Sequence, residues 1–229
     1  MNKPTVSSDG RWLLPIATWY EDGSAGVVVS FDRGDTFAKL GAADIPDGAQ
    51  RDGDEHMLVE RKNGTLWMLV RGKFGSSDGH PAGIGESFST DSGMTWSPVV
   101  RSSIPHPVSR FFIRRLASGR LLLVRHNPPG SGNTRSHLSA FLSDDDGKSW
   151  RGELLLDERT GVSYPDGVQA SDGTCYVIYD FNRKDEKEIL MAVFSEADVL
   201  AGKLLTPHSR RLVRINQATG LNPTISKKK

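Results

Sequence analysis

Two motifs recur along this chain with one shared period, and that period constrains the fold more than any single residue. Four short turns, SDGRWLLP, KNGTLWMLV, ASGRLLLVR and SDGTCYVIY, each lead into an apolar run. Their glycines, Gly10, Gly64, Gly119 and Gly173, follow one another at intervals of 54, 55 and 54 residues. Asp-Gly and Asn-Gly between strand-like runs read as hairpin turns, because both residues tolerate positive φ. A second motif interleaves with the first: SFDRGDTF (30–37), STDSGMTW (89–96) and SDDDGKSW (143–150). In this Ser-x-Asp-x-Gly-x-Thr/Ser-aromatic pattern the Asp bonds backbone N–H groups across the turn. The Gly supplies a left-handed residue, and the aromatic packs back on the next layer. Each unit is therefore two hairpins, a four-stranded antiparallel sheet. Sheets repeating at this spacing are the blades of a β-propeller, where radial repetition protects strand edges. The one helix candidate is SEADVLAGK (195–203), with Ser195 as N-cap, acids in the first turn and Gly202 near the stop.

Composition narrows the function classes. The 29 Lys and Arg against 28 Asp and Glu give no basic excess of the kind that marks a nucleic-acid binder. A single cysteine, Cys175, excludes an intrachain disulfide framework and a CxxC metal site. His80, His106 and His137 lack metal-ligand spacing, and Asp144–Asp146 reads as part of the third Asp motif rather than a calcium loop. No run approaches the ~18 apolar residues of a membrane span. The first residues lack the apolar core of a signal peptide, which leaves the compartment open.

The repeat also predicts a site. Nine residues before three of the turn glycines stand Glu55, Arg110 and Tyr164, and seven residues after them stand Arg71, His126 and Asp180. Hairpin register places Glu55 opposite Arg71 and Tyr164 opposite Asp180. Equivalent positions on successive blades lie around one axis, so these six residues are expected to converge at one end of a central channel. Their strands are otherwise rich in Leu, Val, Trp and Met, among which an unmatched charge is costly. Asn127, beside His126, is placed for hydrogen bonds to hydroxyl groups of a ligand. Each residue also has a plainer reading: a cross-strand ion pair for Glu55 and Arg71, a packed strand-end tyrosine for Tyr164, and a hydrogen-bonded core histidine for His126.

With these motifs in hand, the chain resembles the sialidase (neuraminidase) superfamily, whose members carry Asp boxes on a six-bladed propeller. Three segments carry the likeness besides the boxes: DEHMLVERKNGTLWMLVR, TRSHLSAFLSDDDGKSW and VSYPDGVQASDGTCYVIYD. The resemblance implies that Tyr164 is the nucleophile and Glu55 its base. It implies that Arg71 and Arg135 are two of three arginines holding a substrate carboxylate. The family's remaining arginine and its acid/base aspartate lie in the first blades and have no counterpart here. Pro165 stands where many members have a serine after the tyrosine.

The expectation is thus an all-β propeller of four-stranded blades, about four of a parent six, read as one domain over 1–229 with N-terminal blades missing. Its implied activity is retaining, exo-acting hydrolysis of a terminal sialic acid or related acidic sugar, with no cofactor and no metal. A tyrosine serves because the substrate's own carboxylate would repel a second one at the anomeric carbon. With the general acid and one arginine absent, and two apolar blade faces open, this chain alone is expected to hydrolyse an aryl sialoside negligibly. Two further readings stay open: a carbohydrate-binding propeller without catalysis, and an Asp-box scaffold that binds protein.

Overall fold

The computed structural model describes residues 3–17, 23–49, 55–77, 80–81, 83–129 and 134–218. Within them the chain forms four antiparallel four-stranded sheets in sequence order, the blades of a β-propeller. The first blade holds β1 (Thr5–Val6), β2 (Trp12–Ile16), β3 (Ser24–Ser30) and β4 (Ala38–Asp44). The second holds β5 (Met57–Glu60) and β6 (Leu66–Arg71), then, after a two-stranded ribbon of β7 (Ser76–Ser77) and β8 (His80–Pro81), β9 (Ile84–Ser89) and β10 (Val100–Arg101). β11 (Phe112–Arg115), β12 (Leu121–His126), β13 (Leu138–Ser143) and β14 (Arg151–Asp157) form the third. The fourth consists of β15 (Val162–Gln169), β16 (Cys175–Phe181), β17 (Glu188–Phe194) and β18 (Arg210–Gln217).

The core lies between blades. Strand residues alternate faces, and consecutive residues of β6 are divided between two cores. Trp67 and Leu69 join the cluster shared with the third and fourth blades, whereas Leu66, Met68 and Val70 pack with Leu13, Val27 and Val29 of the first. A strand buried on both faces reads as an unbroken apolar run, which is why LWMLV carries no alternation.

The four inner hairpins share one geometry, and it differs from one in which both turn residues take positive φ. Only the glycines are left-handed, with φ of 87, 83, 82 and 87° at Gly10, Gly64, Gly119 and Gly173. Each glycine N–H bonds the carbonyl three residues back (Ser7, Arg61, Leu116, Ala170) at 2.9–3.0 Å. This is a type I turn closed by a glycine bulge. Asp9, Asn63, Ser118 and Asp172 instead accept from the N–H two residues on, so the side chain rather than a left-handed backbone earns these residues their place.

The Asp motifs are equally uniform. Asp32, Asp91 and Asp145 each accept the N–H four residues on at 2.9 Å, while Ser30, Ser89 and Ser143 accept the box glycine's N–H at 2.7–2.8 Å. Hydrogen bonds, led by the Thr or Ser hydroxyl of the same box, hold all three carboxyls well below the usual range. The fourth blade replaces the box with α1 (Glu196–Ala201), capped by Ser195 and closed by left-handed Gly202. Fully buried Asp198 there accepts from Ser195, Leu205, Thr206 and Ser209.

The box glycines also seat blade on blade. A Cβ at Gly147 would lie 2.5 Å from the ring of Trp67 on the second blade, whereas one at Gly173 would meet open space. Both residues are left-handed, at 85° and 87°. Gly173→Ala is expected to cost about 1–2 kcal/mol from backbone strain alone. Gly147→Ala is expected to cost about 2–4 kcal/mol, since overpacking adds to that strain. Urea denaturation of both variants checks this, and equal losses would refute the seating role of Gly147.

Candidate active site

Glu55, Arg71, Arg135, Tyr164 and Asp180 come together where the inner strands end. In the β5–β6 ladder Met57 pairs with Leu69, and continuing that register puts Glu55 opposite Arg71. Both side chains are buried, and Arg71 Nη1 forms an ion pair with Glu55 Oε2. The same nitrogen lies 3.5 Å from the Tyr164 hydroxyl. The base role implied for Glu55 calls for contact with the Tyr164 hydroxyl; in the structure one guanidinium nitrogen of Arg71 touches both.

Tyr164 owes its position to a β-bulge. Ser163 pairs with Asp180 and Asp166 with Ile178, so Tyr164 and Pro165 together face the single residue Tyr179. The register expected Tyr164 opposite Asp180; the bulge gives that place to Ser163, whose hydroxyl donates to Asp180 Oδ1 at 2.9 Å. Bulges re-aim side chains beside functional sites, and Pro165, which has no N–H, suits one. Tyr164 is left-handed, with φ 56°. This is costly for a bulky residue, and more so before proline, by about 1–3 kcal/mol. Arg183 holds the other side, with its guanidinium carbon 4.4 Å from the Tyr164 ring centre and its Nε 3.1 Å from Asp180 Oδ2.

The arginines converge on a backbone carbonyl. Arg71 Nη2 and Arg135 Nη2 each donate to Val108 O at 3.2 Å. Arg110 is buried, and its Nε and Nη2 find no hydrogen-bond partner among the described residues. Asp180 has its carboxyl pushed up by burial, against the Ser163 hydroxyl and the charges of Arg183 and Arg135. Asn127 departs from the group. It accepts from Arg125 and donates to Glu153 on the outer strand β14, so it faces away from the inner strands.

His126 is fully buried, 3.2 Å from Ser109 Oγ and with its ring centre 5.3 Å from that of His106. The sequence reading missed His106 as a neighbour, along with Ser163, Arg183 and the Val108 carbonyl. None stands at a repeat-equivalent position that would single it out. Burial, joined by neighbouring arginines, pushes His126 down to about 3 and His106 well below the histidine range. A separate cavity of about 430 Å³ lies toward the turn end of the inner strands, lined by Met57, Val59 and Phe112 together with Lys3, Glu60 and Arg115. Among the described residues no group of three or more His, Cys, Asp or Glu is arranged to hold a metal ion.

The comparisons with known proteins bear on this architecture. The BNR repeat-like domain family matches residues 1–177. No curated protein matches. Solved structures that resemble the chain include a protein of unknown function from Dyadobacter fermentans, at 19% identity and TM-score 0.58 over 78% of this chain and 48% of that one. A Hadza microbial sialidase is similar at 22% identity and TM-score 0.57, over 77% of this chain and 34% of its own. An α-L-arabinanase of Penicillium chrysogenum, complexed with arabinobiose, is similar at 16% identity and TM-score 0.57, over 86% and 63%. At these identities the likeness is one of fold, and the chain spans less than two thirds of each of those proteins.

The buried histidines give the site a pH signature. Both have folded-state pKa values below the unfolded value of about 6.5. The unfolded chain therefore takes up protons first as pH falls, and stability is lost below about pH 6.5. The expected slope is about 1.4 kcal/mol per pH unit for each histidine. Chemical denaturation between pH 7 and pH 5 (about one unit either side of 6) tests it. His126→Gln is expected to reduce the slope by about one proton; an unchanged slope would remove His126 from this account.

Proposed function

The chain belongs to the BNR repeat-like domain family, and from that premise we propose a glycoside-hydrolase propeller of the sialidase type that receives an acidic sugar among Arg71, Arg110, Arg135 and Tyr164. The observation that carries the reading is the meeting of Glu55 and Tyr164 on one nitrogen of Arg71, at a strained bulge. Two guanidinium groups directed at one carbonyl oxygen are suited to a carboxylate, which they bind through planar, charge-assisted forks. The likeness to a sialidase structure supports the acidic sugar, and the likeness to an arabinanase keeps the coarser class, glycoside hydrolysis, in view.

In the proposed reaction the Tyr164 oxygen attacks the anomeric carbon as the glycosidic bond breaks. Glu55 takes the phenolic proton, and Arg71 stabilises the negative charge that develops on the oxygen. Water then releases the sugar from tyrosine with retention. A leaving group that needs protonation requires a general acid besides these residues.

One observation favours a second reading. The Glu55 carboxylate is ion-paired with Arg71 and so is already engaged, which suits a propeller that binds a sugar acid without cleaving it. A sialosyl fluoride bearing fluorine beside the anomeric carbon separates the two, because its leaving group needs no acid. Intact-mass and peptide mapping are expected to find a covalent sugar on Tyr164 and none on Tyr164→Phe. Label on a carboxylate, or no label while the sugar acid still binds, would refute the nucleophile and leave the binding reading.

The clamp has its own test. Arg135→Ala is expected to weaken binding of N-acetylneuraminic acid by about 2–5 kcal/mol, roughly 30-fold to several thousandfold in Kd. The wild-type chain is expected to prefer the acid to its methyl ester by calorimetric titration. Equal affinity for acid and ester would remove the clamp.

A further inference from the structure

Taking Tyr164 as the nucleophile proposed above, we propose that Arg183 is its positioning residue, held over the phenol ring by Asp180 and Ser163. Three contacts place the guanidinium. Its central carbon lies 4.4 Å from the centre of the Tyr164 ring, Nε lies 3.1 Å from Asp180 Oδ2, and Nη2 donates to Ser163 Oγ at 3.4 Å. The Ser163 hydroxyl donates to Asp180 Oδ1 at 2.9 Å and closes the circuit. A fully exposed arginine–carboxylate pair is worth little. Here the Arg183 side chain is 51% exposed but its carboxylate partner is buried, and the flat guanidinium also has a ring face to lie on.

The backbone around Arg183 is built to hold it. The turn that follows β16 is closed by the N–H groups of Asp185 and Lys187, which both donate to Asn182 O at 3.0 Å. Asn182 N–H donates in turn to Gly161 O at 3.1 Å, and Gly161 N–H to Arg135 O at 2.9 Å. A run of backbone hydrogen bonds thus ties the Arg183 turn to the segment that enters β15, and from there to the arginine that meets Arg71 at the Val108 carbonyl.

Tyr164 needs such a hold. It is left-handed, in a bulge and before a proline, and a strained conformation persists only where its surroundings over-determine it. The contact between its hydroxyl and Arg71 is long, at 3.5 Å, and restrains the ring weakly. Arg183 lies on the ring while Arg71 stands at the hydroxyl, so one fixes the plane and the other meets the reacting oxygen. An attacking oxygen has to be aligned as well as near, and Arg183 acts on the reaction through the ring it covers.

Full-length chain labelled with fluorotyrosine gives one fluorine resonance for each of its four tyrosines, and Tyr164→Phe identifies the one that belongs to Tyr164. Arg183→Met keeps the apolar stem but removes the charge and the polar contacts. It is expected to move the Tyr164 resonance by more than its linewidth. In trapping with the sialosyl fluoride, Arg183→Met is expected to slow labelling of Tyr164 by about 10- to 100-fold. Its Kd for N-acetylneuraminic acid is expected to change by less than about threefold. Circular dichroism verifies folding; should Arg183→Met not fold, Asp180→Asn, which removes the anchor, carries the same expectation for the resonance. A Tyr164 resonance that stays in place would overturn the proposal, whether or not the tyrosine takes label. So would a loss of rate matched by an equal loss of binding, which would make Arg183 a ligand contact. A wild-type chain that takes no label, with a Tyr164 resonance that still moves in Arg183→Met, would remove the nucleophile and leave Arg183 positioning the ring.

Discussion

Everything in this molecule depends on burying the faces of its sheets against neighbouring blades. A four-stranded sheet cannot hide its apolar residues by itself, and helices are too scarce here to cover it. Strands such as LWMLV and LLLV are therefore apolar on both sides, and their residues are shared between two cores. Packing of this kind leaves no place for ionisable groups along the strand, so they gather where the strands end. The candidate site is a consequence: Glu55 and Arg71 flank the ladder that begins at Met57 and Leu69.

The turns and Asp boxes do the register-keeping. Each uses a left-handed glycine and a short polar side chain to close hydrogen bonds locally, so the geometry is repeated almost unchanged from blade to blade. Local closure matters because a one-residue slip would turn a strand's side chains to the wrong face. The box glycines have a second duty, since Gly147 lets its turn lie on Trp67. Where the box is absent, α1 and buried Asp198 tie down the loop through side-chain and backbone hydrogen bonds.

The site itself is built from departures from that regularity. A bulge at Tyr164 and Pro165 breaks the β15–β16 register and turns the tyrosine toward Arg71. The strain at Tyr164 is tolerated because Arg183 lies over the ring and Arg71 beside the hydroxyl. Two arginines meet at the Val108 carbonyl, and the buried His106 and His126 lie close to Ser109 in the same segment. The apolar strands thus hold this buried cluster of charged and polar groups in a fixed arrangement.

The sequence alone determined the periodic part. Glycine spacing gave the blades, the Asp boxes gave their turns, and counting from the glycines put Glu55 opposite Arg71. These follow from interactions within a few residues or along one ladder, so a one-dimensional pattern carries them. The tertiary structure decided the rest. The bulge that puts Ser163 rather than Tyr164 opposite Asp180 has no signature in the count, because an extra residue in one strand is invisible until its partner is known. Arg71 standing between Glu55 and Tyr164, Arg183 stacking on the tyrosine, and Asn127 turning outward to Glu153 all depend on side chains from different strands or loops meeting in space. Periodicity fixes which residues share a layer; only the packed fold decides which of them touch, because contact depends on bulges, rotamers and neighbouring loops that a repeat does not encode.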